Sequence, residues 1–129
     1  MGDKGRVLLV DDEEIILDVS REVLHFLGYD AMFAREGASA IELYMKEKDA
    51  GRPFDVVIID LTIPEGMGGK ELIGKLRSYD PSVKAVVSSG YTNDPVMQDF
   101  GNYGFSGKLA KPYRINEIKI LLESLLQKS

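Results

Sequence analysis

Short runs of consecutive apolar residues alternate along this chain with longer stretches in which apolar residues return every three or four positions. Val7-Leu8-Leu9-Val10 and Val56-Val57-Ile58-Ile59 are the two strongest runs. Unbroken apolar runs of this length predict strands buried on both faces, and the 3.6-residue spacing between them predicts amphipathic helices. Arg6–Val10 reads as strand 1 and Glu14–Leu27 as helix 1, ended by Gly28. Within helix 1 the pattern places Ile16, Val19, Val23 and Leu27 inward, with Asp18, Arg21, Glu22 and His25 opposite. Asp30–Ala34 is a weakly signalled strand 2, Ala38–Lys48 is helix 2, and Val56–Asp60 is strand 3. Helix 3 spans Gly69–Ser78 with Leu72, Ile73 and Leu76 inward, and strand 4 spans Lys84–Ser88 after an Asp80-Pro81-Ser82 turn. A short helix 4 is capped by Asp94, opens on Pro95 and is bounded by Gly101 and Gly104. Strand 5, Gly107–Ala110, and helix 5, Arg114–Gln127, complete the pattern.

Five such repeats predict an α/β fold: a doubly wound parallel five-stranded sheet with helices on both faces. Right-handed crossovers can cover both faces only if the strand order reverses somewhere, and strands 1 and 3 should be central. Ligands of such sheets bind at the carboxyl ends of the strands, beside that reversal. Asp11, Asp12, Asp60, Ser89 and Lys111 all fall there. Carboxylates at the ends of adjacent strands are costly, because two charges ~4 Å apart repel by roughly 4 kcal/mol at an effective dielectric near 20. A cluster of this kind implies a cation or a reaction.

Composition narrows the chemistry. The chain has 129 residues, 44% of them hydrophobic and 29% charged, which suits one domain over residues 1–129 with its own core. No linker, repeat or low-complexity tail suggests a second domain. A net charge of −5 without a basic run argues against nucleic acid as a direct partner. No apolar stretch approaches the roughly 20 residues that span a bilayer, and no signal peptide is recognisable, so a cytoplasmic location with no membrane association is expected. The absence of cysteine excludes thiolate nucleophiles and thiolate metal sites. His25, the only histidine, lies on the polar side of helix 1, so no base is available for a Ser-His-Asp triad near Ser89.

VLLVDDEE at strand 1, VVIIDLTIPEGMGGKEL at strand 3, VVSSGY at strand 4 and LAKPY at strand 5 together resemble the receiver domain of two-component response regulators. The joint order of these motifs, over essentially the whole chain, carries the resemblance. It implies a flavodoxin-like (βα)5 fold with strand order 2-1-3-4-5. It makes Asp60 the phosphoacceptor, Ser89 the switch hydroxyl and Lys111 the phosphoryl contact, with a cis Lys111–Pro112 bond. Ser88 is the competitor for the switch position. Mg²⁺ would be held by Asp11, Asp12, Asp60 and the carbonyl of Thr62, an oxygen set that suits this ion. The implied partners are a sensor histidine kinase or histidine phosphotransfer domain, with small acyl phosphates as alternative donors. Such a domain is not an enzyme with a separate substrate; it catalyses its own phosphotransfer and a slow loss of its own phosphate.

Two departures bear on mechanism. The loop after Asp60, running from Leu61 to Gly69, is one residue longer than the common family form and resembles receivers fused to hybrid sensor kinases. Lys108 occupies the strand-5 position where the family carries a switching aromatic, so Tyr91, Phe105 and Tyr113 stand as open substitutes. A relay that passes phosphate to a histidine phosphotransfer domain needs less of that switching. An aspartyl phosphatase is disfavoured by Thr62 two residues after Asp60, and a flavin binder by the acidic residues after strand 1. A receiver-like module that is never phosphorylated would not need this full set of competent side chains. The face of helix 4, strand 5 and helix 5 leaves a homodimer open without requiring one.

Overall fold

The computed structural model describes residues 4–61 and 68–126. Strands β1 (Arg6–Val10), β2 (Asp30–Ala34), β3 (Val56–Asp60), β4 (Ala85–Ser89) and β5 (Gly107–Ala110) form one parallel sheet in the order β2-β1-β3-β4-β5. The helices are α1 (Glu14–Leu27), α2 (Gly37–Asp49), α3 (Gly69–Tyr79), α4 (Pro95–Gln98) and α5 (Ile115–Leu126), with a 3₁₀ turn at Phe100–Tyr103. The expected order and all ten elements are present. β4 begins and ends one residue later than its apolar run suggested, which draws Ser89 into the sheet, paired with Ala110.

Alternation along the strands divides the core in two. Val7, Leu9, Val56, Ile58 and Val86 pack on α1 and α5 through Leu17, Leu24, Leu27, Ile118 and Leu122. Leu8, Val10, Val57, Ile59 and Val87 face α2, α3 and α4 through Ala40, Tyr44, Leu72, Ile73, Leu76, Val96 and Met97. α1 ends as expected, on Gly28 in the left-handed region at φ 96°, its N–H donated to the His25 carbonyl. Asp94 caps α4 by accepting the Val96 N–H at 2.9 Å.

One expectation for α1 is corrected. Its buried face is Leu17, Ser20, Val23, Leu24 and Leu27, whereas Val19 is exposed. Ile15, Ile16 and Leu17 are consecutive, so the sequence offers two apolar stripes, and tertiary packing selects the one containing Leu17.

At the amino ends of the strands a polar network locks α2 to the turn before β4. The Tyr44 hydroxyl donates to Asp80 Oδ2 at 2.7 Å, Ser82 donates to Asp80 Oδ1 through both its N–H and its hydroxyl, and Lys48 lies 3.5 Å from Oδ2. The Tyr44 hydrogen bond first, then those of Ser82 and the charge of Lys48, hold the Asp80 carboxyl down to about 2 against burial, which raises it. Because this folded value lies below the ordinary 3.8, the stabilisation is complete above about pH 4 and is lost as pH falls through about 2. Tyr44→Phe should therefore cost about 1.5–3 kcal/mol at neutral pH. The cost should shrink below about pH 4. Urea unfolding of both proteins across that range checks the sign; a cost that grew on acidification would contradict it.

Candidate functional site

The carboxyl ends of β1 and β3 deliver carboxylates, and that of β5 a lysine, to one place. β1 is held at its end by the Asp11 N–H donating to the Ala34 carbonyl, and Asp11 is fully buried. Its Oδ1 accepts the Glu13 N–H at 2.9 Å, which turns the chain into α1 and leaves Asp12 exposed at the rim. Asp60 closes β3 and is buried, and the next N–H, of Leu61, donates to the Ser88 carbonyl. α3 starts directly against this point. A Cβ on Gly69 would lie 3.0 Å from both the Asp60 carbonyl oxygen and Leu61 Cα, so glycine permits the approach.

Lys111 crosses the cluster from β5. Its Nζ lies 2.8 Å from Asp11 Oδ2, 3.1 Å from Glu13 Oε1 and 3.4 Å from Asp60 Oδ2. Burial acts to lower the ammonium pKa. Hydrogen bonds to Asp11 and Glu13 and the charges of Asp60 and Asp11 outweigh it, so the value is raised and Lys111 stays cationic. The Lys111–Pro112 bond is cis, as expected.

Asp11, Asp12 and Asp60 each bring one carboxylate oxygen to within 4.8 Å of the others. Three oxygen donors, two buried and one at the surface, suit a hard divalent cation that retains water and open positions. The fourth expected ligand, the Thr62 carbonyl, lies outside the described residues.

Ser89 is buried and its Oγ accepts the Tyr91 N–H at 2.9 Å, an arrangement that still leaves a hydroxyl proton to donate. Ser88, the register neighbour of Asp60, shares a 2.6 Å hydrogen bond with the Tyr113 hydroxyl. Burial raises the Tyr113 phenol above its ordinary pKa, against the Ser88 hydrogen bond and the Lys111 charge, so the phenol stays neutral. Lys108 points to solvent, Tyr91 is 69% exposed and Phe105 is buried in the core. Sequence reasoning missed two of these contacts, Glu13 with Lys111 and Ser88 with Tyr113. The first joins residues 98 positions apart, and no local pattern announces such a pairing.

The model of the response regulator receiver domain matches residues 7–123. The chain belongs to this family. Sporulation initiation phosphotransferase F of Bacillus subtilis (strain 168) is 30% identical over 121 residues, covering 94% of this chain and 93% of that one. Sensor kinase CckA of Brucella abortus (strain 2308) is also 30% identical, over 95% of this chain but only 12% of its own length. This receiver chain thus matches nearly all of one relative and a small segment of another. Among solved structures, Vibrio cholerae chemotaxis protein CheY4 shares 26% identity with TM-score 0.83, covering 95% of this chain and 98% of that chain. The receiver domain of sensor histidine kinase PA1611 from Pseudomonas aeruginosa PAO1, with a magnesium ion coordinated in its active-site cleft, aligns with TM-score 0.85. It covers 99% of this chain and 100% of that one; at 19% identity it speaks for the fold. The fold and the two-component signalling family expected from the motifs are therefore established. No helix among the described residues is long and apolar enough to cross a membrane.

Proposed function

We propose that this receiver accepts a phosphoryl group on Asp60 from a histidine kinase or histidine phosphotransfer domain. The observation that carries the reading is the convergence of Lys111 with Asp11 and Asp60 at the strand ends, beside Asp12. An Asp60 oxygen attacks phosphorus in line, forming the O–P bond as the N–P bond to imidazole breaks. The released nitrogen keeps the electron pair and takes a proton. Asp11, Asp12 and Asp60, with the Thr62 carbonyl, would hold Mg²⁺, which when bound offsets their charge and polarises the phosphoryl oxygens. Lys111 places its ammonium against a phosphoryl oxygen, and Ser89 turns its free proton toward the same group. Ser88 is the weaker choice for that role because its hydroxyl is engaged by Tyr113. The protein works in the cytoplasm as a signalling domain, not as an enzyme acting on a separate substrate. Small acyl phosphates serve as alternative donors.

Acetyl phosphate with Mg²⁺ should give a single phosphoryl adduct by intact mass, lost on chelation. No adduct under conditions that label a proven receiver would overturn the reading.

A relay role is favoured over output switching by one observation. None of the three candidate aromatics is poised in the usual way: Phe105 is locked in the core, Tyr91 stands in solvent and Tyr113 is tied to Ser88, while the usual position carries the exposed Lys108. The outer face of α1 suits a helical donor. Ile15 and Phe26, both 76% exposed, and Val19, 46% exposed, lie at spacings of four and seven along one side, starting beside Asp12. Ile15→Asp should slow transfer from a phosphohistidine donor at least about tenfold, the effect of losing one buried apolar anchor. Transfer from acetyl phosphate should slow far less. Equal slowing with both donors would remove α1 from the docking face.

A further inference from the structure

We propose that the Ser88–Tyr113 hydroxyl pair positions Lys111 for phosphoryl transfer, with Tyr113 as the positioning residue. The inference rests on the phosphoacceptor reading of Asp60. Lys111 has a long, flexible side chain, so the place its ammonium reaches depends on how firmly its backbone is held. Two fastenings hold it, to consecutive residues of β4. The Lys111 N–H donates to the Ser89 carbonyl at 3.0 Å, and two residues later the Tyr113 hydroxyl meets Ser88 Oγ at 2.6 Å. Ser88 is in turn the register partner of Asp60, so the second fastening ties the turn after β5 to the β4 residue that pairs with the acceptor.

Packing alone does not account for the pair. The Tyr113 ring packs on the apolar cluster under α1 and α5, and Ser88 is fully buried. An aliphatic residue and a phenylalanine would fill the same space without desolvating two hydroxyls, which is costly unless they satisfy each other. What the hydroxyls add is direction: a hydrogen bond fixes one distance and one angle where apolar contact tolerates sliding. The ring of Tyr113 alone leaves the turn free to shift relative to Asp60, and a small displacement of a group that contacts the reacting centre is amplified in rate.

The test is a double-mutant cycle read as the rate of adduct formation from acetyl phosphate and Mg²⁺, using wild type, Tyr113→Phe, Lys111→Met and the double variant. Tyr113→Phe should slow labelling about fivefold in the wild-type background, the effect of losing one net hydrogen bond. It should change nothing further in Lys111→Met, because a residue that acts through Lys111 has nothing left to position. The same slowing in both backgrounds, or none in either, overturns the inference. Thermal melts separate positioning from folding. Ser88→Val with Tyr113→Phe should recover the stability lost by Ser88→Val alone, since no orphaned hydroxyl remains, while labelling stays slow. Recovery of the rate along with stability would make the pair merely structural. Failure of wild type to label at all would be a failure of the Asp60 reading itself, and is distinguishable from every outcome above.

Discussion

Asp60→Asn is expected to abolish the phosphoryl adduct, lowering its rate of formation by more than about 10³, a loss of over about 4 kcal/mol of transition-state stabilisation. The amide keeps the shape of the carboxylate but lacks the anionic oxygen that attacks phosphorus, and it contributes a weaker ligand to the Asp11, Asp12 and Asp60 cluster. The fold should not suffer. Asp60 attracts Lys111 at 3.4 Å, but it also repels two carboxylates within 4.8 Å, and Lys111 retains Asp11 and Glu13 as partners. Relief of those repulsions works against the loss of the Lys111 attraction, so the melting temperature without Mg²⁺ should stay close to that of wild type. Intact mass and thermal melts should therefore separate the chemical role of Asp60 from a structural one, the adduct lost and the fold kept. A full-height adduct on the variant would move the acceptor to Asp11 or Asp12, and a collapse of the melt would mean that Asp60 is chiefly a structural partner.

Much of this site was legible in the sequence because the sheet does the placing. Each apolar run long enough to be buried on both faces must end where polar residues meet solvent, so whatever follows Val10, Ile59 and Val87 gathers at one edge. The same burial placed β1 and β3, the most apolar strands, at interior positions of the sheet, whereas the full strand order came from the family resemblance. Contacts between side chains distant in sequence were not legible. Asp80 reads locally as a turn residue, and nothing near it reveals that Tyr44, 36 positions earlier, donates to its carboxylate. Nothing local marks Glu47 of α2 as the residue that is buried against Arg6, 41 positions away. α1 failed for a different reason. Its adjacent apolar residues satisfy the helical period in two phases, and only the packing of Leu17 and Leu24 under the sheet chooses between them. The same packing leaves Ile15, Val19 and Phe26 outside.

Lys111→Met is expected to pull two properties of the site in opposite directions. Labelling by acetyl phosphate should fall by about 10², the loss of one oriented cation that meets charge developing on the phosphoryl oxygens. Mg²⁺ binding should instead tighten. In the protein as it stands the Lys111 ammonium sits among the carboxylates that would hold the ion, 2.8 Å from Asp11 and 3.4 Å from Asp60. A single and a double positive charge ~5 Å apart repel by roughly 1.7 kcal/mol even at the dielectric of water. Removing the ammonium should then lower the dissociation constant on the order of tenfold. The metal-free fold should weaken at the same time, because Asp11 is fully buried and would lose its cationic partner. Mg²⁺ should restore more stability to the variant than to wild type, since binding to the folded state alone stabilises by an amount that grows with affinity. Calorimetric titration with Mg²⁺ and melts at two metal concentrations separate these effects from the kinetic one. If affinity for the ion fell together with the labelling rate, Lys111 would be shaping the metal site itself, and the division of labour between a carboxylate cluster for the cation and a lysine for the phosphoryl group would have to be abandoned.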